Sequence, residues 1–270
     1  MTESAHRLSV IEIGGLLVPQ ISTSEQPVVV TSARGPSDVV LVCEHASAFI
    51  PPALNDLGLS ERDRQSHAVW DPGALAVAEE MARIMDATLV AGGVSRLVYD
   101  CNRPPDAPDA MPDRSERIEV PGNRGLDAAA RDRRVATYYL PFRRALADAI
   151  AACAKPVIVT VHSFTPNYHG QPRQVEIGIL HDSDARLADA MLSIAPQHTQ
   201  MNTQRNAPYG PVDGVTHTLK EHALPGGHLN VMIELRNDLI ATEMQQQQMA
   251  GLLSRWISAA LENLGQDLHA

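Results

Sequence analysis

The chain has 270 residues, 44% of them hydrophobic, which is enough for one large α/β domain with a sizeable core. Its 32 acidic and 22 basic residues give a formal net charge of -10, so we expect neither nucleic acid nor an anionic membrane surface as a partner. Three widely spaced cysteines, no signal-like N-terminus and no apolar run of about 18 residues predict a cytoplasmic protein without a disulfide framework. We predict a single domain over residues 1–270.

Short apolar runs alternate with helical patterns along the chain. The runs predict strands over residues 38–44, 87–91, 95–99, 156–161, 175–180 and 229–235. Helical spacing of apolar residues predicts helices over residues 73–86, 127–154, 184–194 and 242–264, with a kink or break at Pro141 in the second of them. Residues 104–125 have the composition of a loop at the rim of a site. This alternation is typical of an α/β layered sheet.

Polar side chains follow four of the predicted strands. These strand ends read Glu44-His45-Ala46-Ser47, Asp100-Cys101-Asn102-Arg103, His162-Ser163 and Glu234-Leu235-Arg236-Asn237-Asp238. Because ligands of open α/β sheets bind beyond the carboxyl ends of the strands, we expect these side chains to share one rim. Each also has a structural interpretation, since a histidine at a strand end is often a hydrogen-bonding cap and Glu234 is placed to pair with Arg236 or to cap the last helix.

Asp71 precedes the first long predicted helix and allows two interpretations. The order Asp71-Pro72-Gly73 suits a helix N-cap. The other interpretation makes Asp71 a third metal ligand beside His45 and His162. Two histidines and a carboxylate, with a fourth position open, form the usual ligand set of hydrolytic zinc sites.

Five segments of this sequence together resemble the N-formylglutamate amidohydrolase family over roughly residues 37–261, as a divergent branch. The segments are HAS from His45, WDPGA from Trp70, SRLVYDCNRP from Ser95, VHSFTP from Val161 and IELRND from Ile233. The family is similar to zinc carboxypeptidases and aspartoacylase. This resemblance implies a mixed central sheet with helices on both faces and a bound Zn²⁺ or another divalent metal ion.

The resemblance also implies roles for individual residues. His45 and His162 stand at the positions of the zinc histidines, while Ala48 stands where the carboxypeptidase pattern has its carboxylate ligand. We therefore predict Asp71 as the third ligand, with Glu44 as the second choice. Glu234 takes the place of the general base, and Arg96 that of the arginine that polarises the scissile carbonyl. The predicted contacts to a substrate carboxylate are Asn102 and Arg103, with Arg236 and Ser47 as further substrate-binding residues.

The predicted function is hydrolysis of the amide bond of an N-acyl amino acid such as N-formylglutamate, a small carboxylated substrate. One alternative is a cysteine-dependent amidase, because Cys43 lies two residues before His45 and shares a strand face with it if the strand extends that far. A second is a non-enzymatic protein that binds carboxylates through the same arginines. The sequence leaves the metal, the acyl group and the oligomeric state open, a homo-oligomer included.

Overall fold

The computed structural model describes residues 9–13, 16–20, 26–35 and 37–265, with side chains from residue 26 onward. Its helices are α1 (Glu61–Arg64), α2 (Ala74–Met85), α3 (Ala128–Arg134), α4 (Leu140–Ala151), α5 (Arg186–His198) and α6 (Glu243–Asn263). Its strands are β1 (Ser9–Ile13), β2 (Leu16–Gln20), β3 (Val28–Thr31), β4 (Val39–Cys43), β5 (Thr88–Gly92), β6 (Arg114–Ser115), β7 (Ile118–Glu119), β8 (Val157–Phe164), β9 (Asn167–Tyr168), β10 (Gln171–Pro172), β11 (Ile177–Leu180), β12 (Thr203–Arg205) and β13 (Leu229–Arg236).

A seven-stranded sheet organises the described part of the chain, in the order β12-β11-β13-β8-β4-β5-β3. The four central strands β13, β8, β4 and β5 are parallel. Strand β11 is antiparallel to β13, and β3 is antiparallel to β5 at one edge. The sheet is therefore mixed, as the family resemblance implied. Because the central strands are parallel, their carboxyl ends meet at one edge of the sheet.

Both faces of the central strands are covered by helices, so successive residues pack into different layers of the core. In β4, Leu41 and Cys43 pack with α2, α5 and α6 on one face. Val40 and Val42 pack on the other face with α4, through residues such as Phe142. All five residues of β4 are buried, which explains its continuous apolar sequence. The predicted α/β class with helices on both faces is confirmed.

Two sequence predictions differ from the structure. Residues 95–99 form a turn instead of a strand: the Ser95 hydroxyl donates to the Val69 carbonyl and accepts from the Leu97 amide, which folds the backbone back on itself. Leu97 and Val98 of this segment are buried in a loop cluster outside the sheet, and Tyr99 packs against the sheet. The second predicted helix is not broken at Pro141, because Pro141 lies in the first turn of α4 and a π-helical turn over Val135–Tyr139 precedes it.

No helix among the described residues is both long enough and apolar enough to cross a bilayer.

Gly73 forms the tight turn between Asp71 and helix α2. Its φ of 81° lies in the left-handed region, and it occupies the N-cap position of α2. A Cβ atom at this position would lie 2.6 Å from the carbonyl oxygen of Ile240, so the backbone of the α6 approach packs directly against it. The turn thereby fixes where the Asp71 side chain leaves the backbone.

We predict that Gly73→Ala destabilises the fold more than Gly125→Ala, which is a control at φ 65° with no heavy atom near the added Cβ. Gly125→Ala introduces only the strain of a non-glycine residue in the left-handed region, about 1–2 kcal/mol. Gly73→Ala adds a backbone clash of about 1–3 kcal/mol. Urea unfolding of both variants measures the difference. Equal losses would mean that the contact with Ile240 relaxes freely.

Candidate metal centre

Three polar side chains form a row across neighbouring strands at the carboxyl-end edge of the sheet. Glu234 of β13 lies in register with His162 of β8. Val42 of β4 pairs with Thr160, and two residues further along each strand the same register sets Glu44 beside His162. The Glu44 and His162 side chains meet on one face, where Glu44 Oε2 lies 3.0 Å from His162 Nε2. The sheet register thus brings together residues that are more than 70 positions apart in sequence.

His45, Asp71 and His162 converge at this edge and are all buried. The Nδ1 atom of His45 lies 3.2 Å from Nδ1 of His162. Oδ2 of Asp71 lies 3.2 Å from the first nitrogen and 3.0 Å from the second. Three potential metal-ligand atoms therefore form a nearly equilateral triangle.

Asp71 does not cap helix α2 with its side chain. The helix begins after Gly73 and has no side-chain cap hydrogen bond. The Asp71 carboxylate instead accepts from the Ser163 amide at 3.2 Å through Oδ2 and from Arg96 Nη1 at 3.3 Å through Oδ1. The Asp71 amide donates to the His45 carbonyl, which ties the two ligand segments together. Of the two interpretations of Asp71, the geometry supports the one that places it among the histidines.

Each imidazole also lies close to a second carboxylate, which faces the ring nitrogen that points away from the triangle. Asp100 Oδ1 lies 2.7 Å from His45 Nε2, and Glu44 lies behind His162. The hydrogen bond to Asp100 holds the proton of His45 on Nε2 and leaves the lone pair of Nδ1 directed into the triangle. Glu44 faces His162 Nε2 at 3.0 Å without hydrogen-bond geometry, and its charge favours a proton on the same nitrogen. Glu44, the second-choice ligand, is thus a neighbour of a ligand histidine. Sequence reasoning assigned no role to Asp100, although it follows a predicted strand like the other site residues.

The triangle fits a divalent cation. Ligands 2.0–2.1 Å from a tetrahedral zinc ion lie roughly 3.3 Å apart, close to the separations found here. The donor set is two neutral imidazole nitrogens and one carboxylate oxygen, a combination that zinc and several other divalent metals accept. The wall of an adjoining cavity includes all three residues, so a fourth position is open to a small ligand.

Buried carboxylates outnumber buried cations around the triangle. Glu44, Asp71, Asp100 and Glu234 are each at most 4% exposed. Burial opposes ionisation of Asp71, but when the imidazoles are protonated, the charge of His45, hydrogen bonds from both imidazoles and the charge of Arg96 hold the pKa of Asp71 well below its usual range. Such an excess of negative charge in a buried site is stabilised by a bound cation.

Glu234 differs from the other buried carboxylates because nothing in the described chain neutralises it directly. Burial raises the pKa of Glu234 to about 7, although the charges of His162, His45 and Arg96 favour its ionised form. Its Oε2 is buried without a hydrogen-bond partner. Gly178 lies opposite Glu234 on β11, and an added Cβ there would lie 3.1 Å from Glu234 Cβ, so the lack of a side chain leaves room for this carboxyl group. A carboxyl group with these properties is suited to general acid–base work near neutral pH.

The triangle opens into a cavity of about 250 Å³ with a largely polar wall. The side chains around it are His45, Asp71, Arg96, Asn102, Arg103, His162, Ser163, Tyr168, Tyr209, Asp213, Val215, Met232 and Glu234. Seven of the nine predicted site residues are in this group. The tyrosines were not identified from the sequence, because Tyr168 lies in a strand of only two residues and Tyr209 lies in a loop, and neither segment has an apolar periodicity.

Arg96, Asn102 and Arg103 reach the cavity with partners of their own. Arg96 bridges Asp71 and Asp100. Asn102 donates to the Val215 carbonyl and accepts from the Thr218 amide, so its side chain fastens the 215–218 segment. This bonding occupies the amide that we predicted to contact substrate. Arg103 donates through Nε to Asp109 at 2.6 Å and through Nη1 to the Gly214 carbonyl at 3.1 Å.

Arg236 and Ser47, which we predicted as substrate-binding residues, are not among the side chains that line the cavity. Arg236 donates through Nε to Asp238 and through Nη1 to the Arg173 carbonyl. The Ser47 hydroxyl accepts from the Phe49 amide two residues later. Both side chains hold backbone segments in place, and their proximity to Glu234 and His45 in sequence does not bring them to the site.

Cys43 is fully buried on the face of β4 that packs against α2 and α6. Burial, followed by the charges of Asp71 and Glu44, raises the pKa of its thiol well above the usual value. Cys101 is also buried, and its thiol pKa is raised in the same way. Because a thiolate is the nucleophilic form, these positions do not support a cysteine-dependent amidase.

Comparison with known proteins agrees with this geometry. The family model for N-formylglutamate amidohydrolase matches residues 37–241. A solved structure of a gene product from Agrobacterium tumefaciens is 54% identical, with a TM-score of 0.86 over 89% of this chain and 97% of that chain. An N-formylglutamate amidohydrolase from Ralstonia eutropha is 18% identical and shares the fold, with a TM-score of 0.67 over 88% of this chain and 99% of that chain. A comparison with curated protein sequences finds no match.

The resemblance inferred from the five sequence segments is therefore confirmed over most of the chain. Membership in the family supports amide hydrolysis as the chemistry of the site. Since the matched residues 37–241 include every candidate ligand and the buried Glu234, this protein belongs to the N-formylglutamate amidohydrolase family.

Proposed function

We propose that this protein is a metal-dependent amidohydrolase that cleaves the amide bond of N-formylglutamate or a closely related N-acyl amino acid. The observation that carries the proposal is the convergence of two imidazole nitrogens and the Asp71 carboxylate within 3.2 Å of one another. Zn²⁺ is the proposed ion, and other divalent metals suit the same donors. The free cysteines among the described residues support a cytoplasmic location.

His45, Asp71 and His162 would hold the ion, which supplies a bound water with a pKa lowered to about 7 and polarises the substrate carbonyl. Glu234 accepts the proton of the attacking water and transfers it to the amide nitrogen as the C–N bond breaks. The water oxygen forms the new bond to the acyl carbon. The products are a carboxylic acid and a free amino acid.

In this proposal, Arg96 acts on the reacting carbonyl group and Arg103 binds a substrate carboxylate. Arg96 lies on the cavity wall between Asp71 and Asp100, where its positive charge stabilises the developing charge on the carbonyl oxygen. The side chain of Arg103 is 11% exposed, and its guanidinium group would bind a substrate carboxylate. Asn102 contributes by holding the neighbouring backbone segment.

A protein that only bound carboxylates would have no use for a buried carboxyl group next to the candidate ligands. Burial of Glu234 without a partner for Oε2 is energetically costly, and anionic ligands are repelled by it when it is ionised. Its position therefore supports an enzyme over a non-enzymatic binding protein.

The central test is removal and return of the metal. We expect purified protein to contain close to one equivalent of divalent metal, to lose formate release from N-formylglutamate after chelation, and to regain it with Zn²⁺. His162→Ala should bind no metal, whereas the control His198→Ala, on α5, should bind as the unaltered protein does. Full activity in protein shown by elemental analysis to lack metal would contradict the proposal.

Glu234→Gln tests the proton-transfer role separately. The amide keeps the size of the side chain but accepts no proton, so we expect turnover to fall by about 10²-fold or more with metal content unchanged. The exposed Glu262→Gln on α6 is the matched control. Steady-state kinetics with elemental analysis provide the measurement, and near-normal turnover in Glu234→Gln would refute the assignment.

Glu44→Gln tests the outer support of His162. Loss of the carboxylate behind Nε2 weakens the orientation and basicity of the ligand imidazole, so we expect metal affinity to fall by roughly 10- to 100-fold. Competition with a metal-binding dye gives the affinity without reference to activity. An unchanged affinity would show that His162 is held by its backbone alone.

A further inference from the structure

Arg173 is an arginine close to the site that the proposed mechanism does not use. It follows the short β9–β10 hairpin, and its guanidinium carbon lies 4.4 Å from the ring centre of Tyr168 and 4.7 Å from that of Tyr209. Phe164, at the end of the strand that carries His162, lies 5.4 Å away on another side. Three aromatic rings thus surround one planar cation, which restricts its orientation.

The charge of Arg173 has no counterion within the described chain. Arg96 pairs with Asp71 and Asp100, and Arg103 pairs with Asp109. Arg173 forms no ion pair with any described carboxylate, and its Nη1 is buried without a hydrogen-bond partner. A buried N–H group without a partner is costly, so its retention here calls for an explanation. An anionic ligand would supply both the partner and the missing charge.

Two of the rings that hold Arg173 form part of the cavity wall, and Arg173 itself lies behind them. Tyr168 and Tyr209 line this cavity together with Glu234. Burial and the charge of Glu234 raise the pKa of the Tyr209 hydroxyl to about 12, while the charge of Arg173 opposes the shift. Arg173 and Glu234 therefore act on the same hydroxyl group, and the guanidinium lies next to the part of the cavity wall that Tyr209 forms.

The backbone of Arg173 is held from both sides. Its amide donates to the Pro166 carbonyl at 2.8 Å, and its carbonyl accepts from Arg236 Nη1 at 3.2 Å. Arg236 is itself fixed by Asp238. Such anchoring keeps the order of the segment independent of a bound ligand, as a preformed recognition group requires.

We infer that Arg173 is a specificity-determining residue, which binds the side-chain carboxylate of an acidic N-acyl amino acid while Arg103 binds the α-carboxylate. The inference rests on the proposed function. A planar guanidinium group can present two parallel N–H donors, which match a carboxylate and have no equivalent match in an amide. The site thereby distinguishes an acidic side chain from its neutral isostere.

The test compares N-formylglutamate with N-formylglutamine in the unaltered enzyme, Arg173→Met and Arg173→Lys. We expect Arg173→Met to lower kcat/KM for N-formylglutamate by about 100-fold, mainly through KM, and for N-formylglutamine by less than about threefold. Arg173→Lys should retain part of the preference, because it keeps the charge but lacks the planar donors. Arg144→Met, at an exposed arginine on α4, is the control and should leave both values unchanged.

Equal losses on both substrates, or no loss on either, would overturn the inference. Thermal melting of each variant separates a folding defect from a binding defect. Binding of glutarate and of glutaramate, measured by calorimetry, provides a readout that does not depend on turnover. If the unaltered protein hydrolyses neither substrate, the proposed function fails, whereas a loss of glutarate binding alone in Arg173→Met still supports the role of Arg173, and unchanged glutarate binding refutes it.

Discussion

Two imidazole nitrogens and one carboxylate oxygen meet within 3.2 Å of one another at the carboxyl ends of the central strands, and the rest of the site is arranged around this contact. Lone pairs and a negative charge repel at such separations unless a cation or a shared proton lies between them. The protein holds them there through carboxylates behind both histidines and a backbone amide on Asp71. In the proposed function, a divalent cation held by these three atoms would remove the repulsion.

The sheet lowers the conformational entropy cost of bringing these side chains together. Parallel strands β13, β8 and β4 deliver Glu234, His162 and Glu44 to one edge in register, so their relative positions follow from backbone hydrogen bonds. Helices cover both faces of the sheet, and the carboxylates at its edge are each at most 4% exposed. Exclusion of water raises the pKa of Glu234 and strengthens each electrostatic interaction in the site. The burial that the layered fold imposes therefore also determines the acid–base properties of the site.

The three arginines near the cavity differ in whether carboxylates neutralise their charge. Arg96 is neutralised by the carboxylates that surround the histidines, and Arg103 is partly neutralised by Asp109. Arg173 is held by aromatic rings, which orient a cation without neutralising it. Under the proposed function, these guanidinium groups and the candidate metal ion would give the cavity a local positive charge for an anionic substrate, although the protein as a whole is acidic.

The sequence by itself determined the layered α/β class, most of the central strands and helices, and the placement of the two histidines and Glu234 at the carboxyl ends of strands, because apolar periodicity and polar strand ends are local signals. It also carried the family resemblance in short ordered segments. Only the tertiary structure decided that Asp71 joins the histidines, that Glu44 and Asp100 support them, and that Arg236 and Ser47 lie outside the cavity. These outcomes depend on strand register, on the Gly73 turn and on contacts between distant segments. A linear pattern does not encode them, because a side chain one residue further along a strand faces the opposite layer.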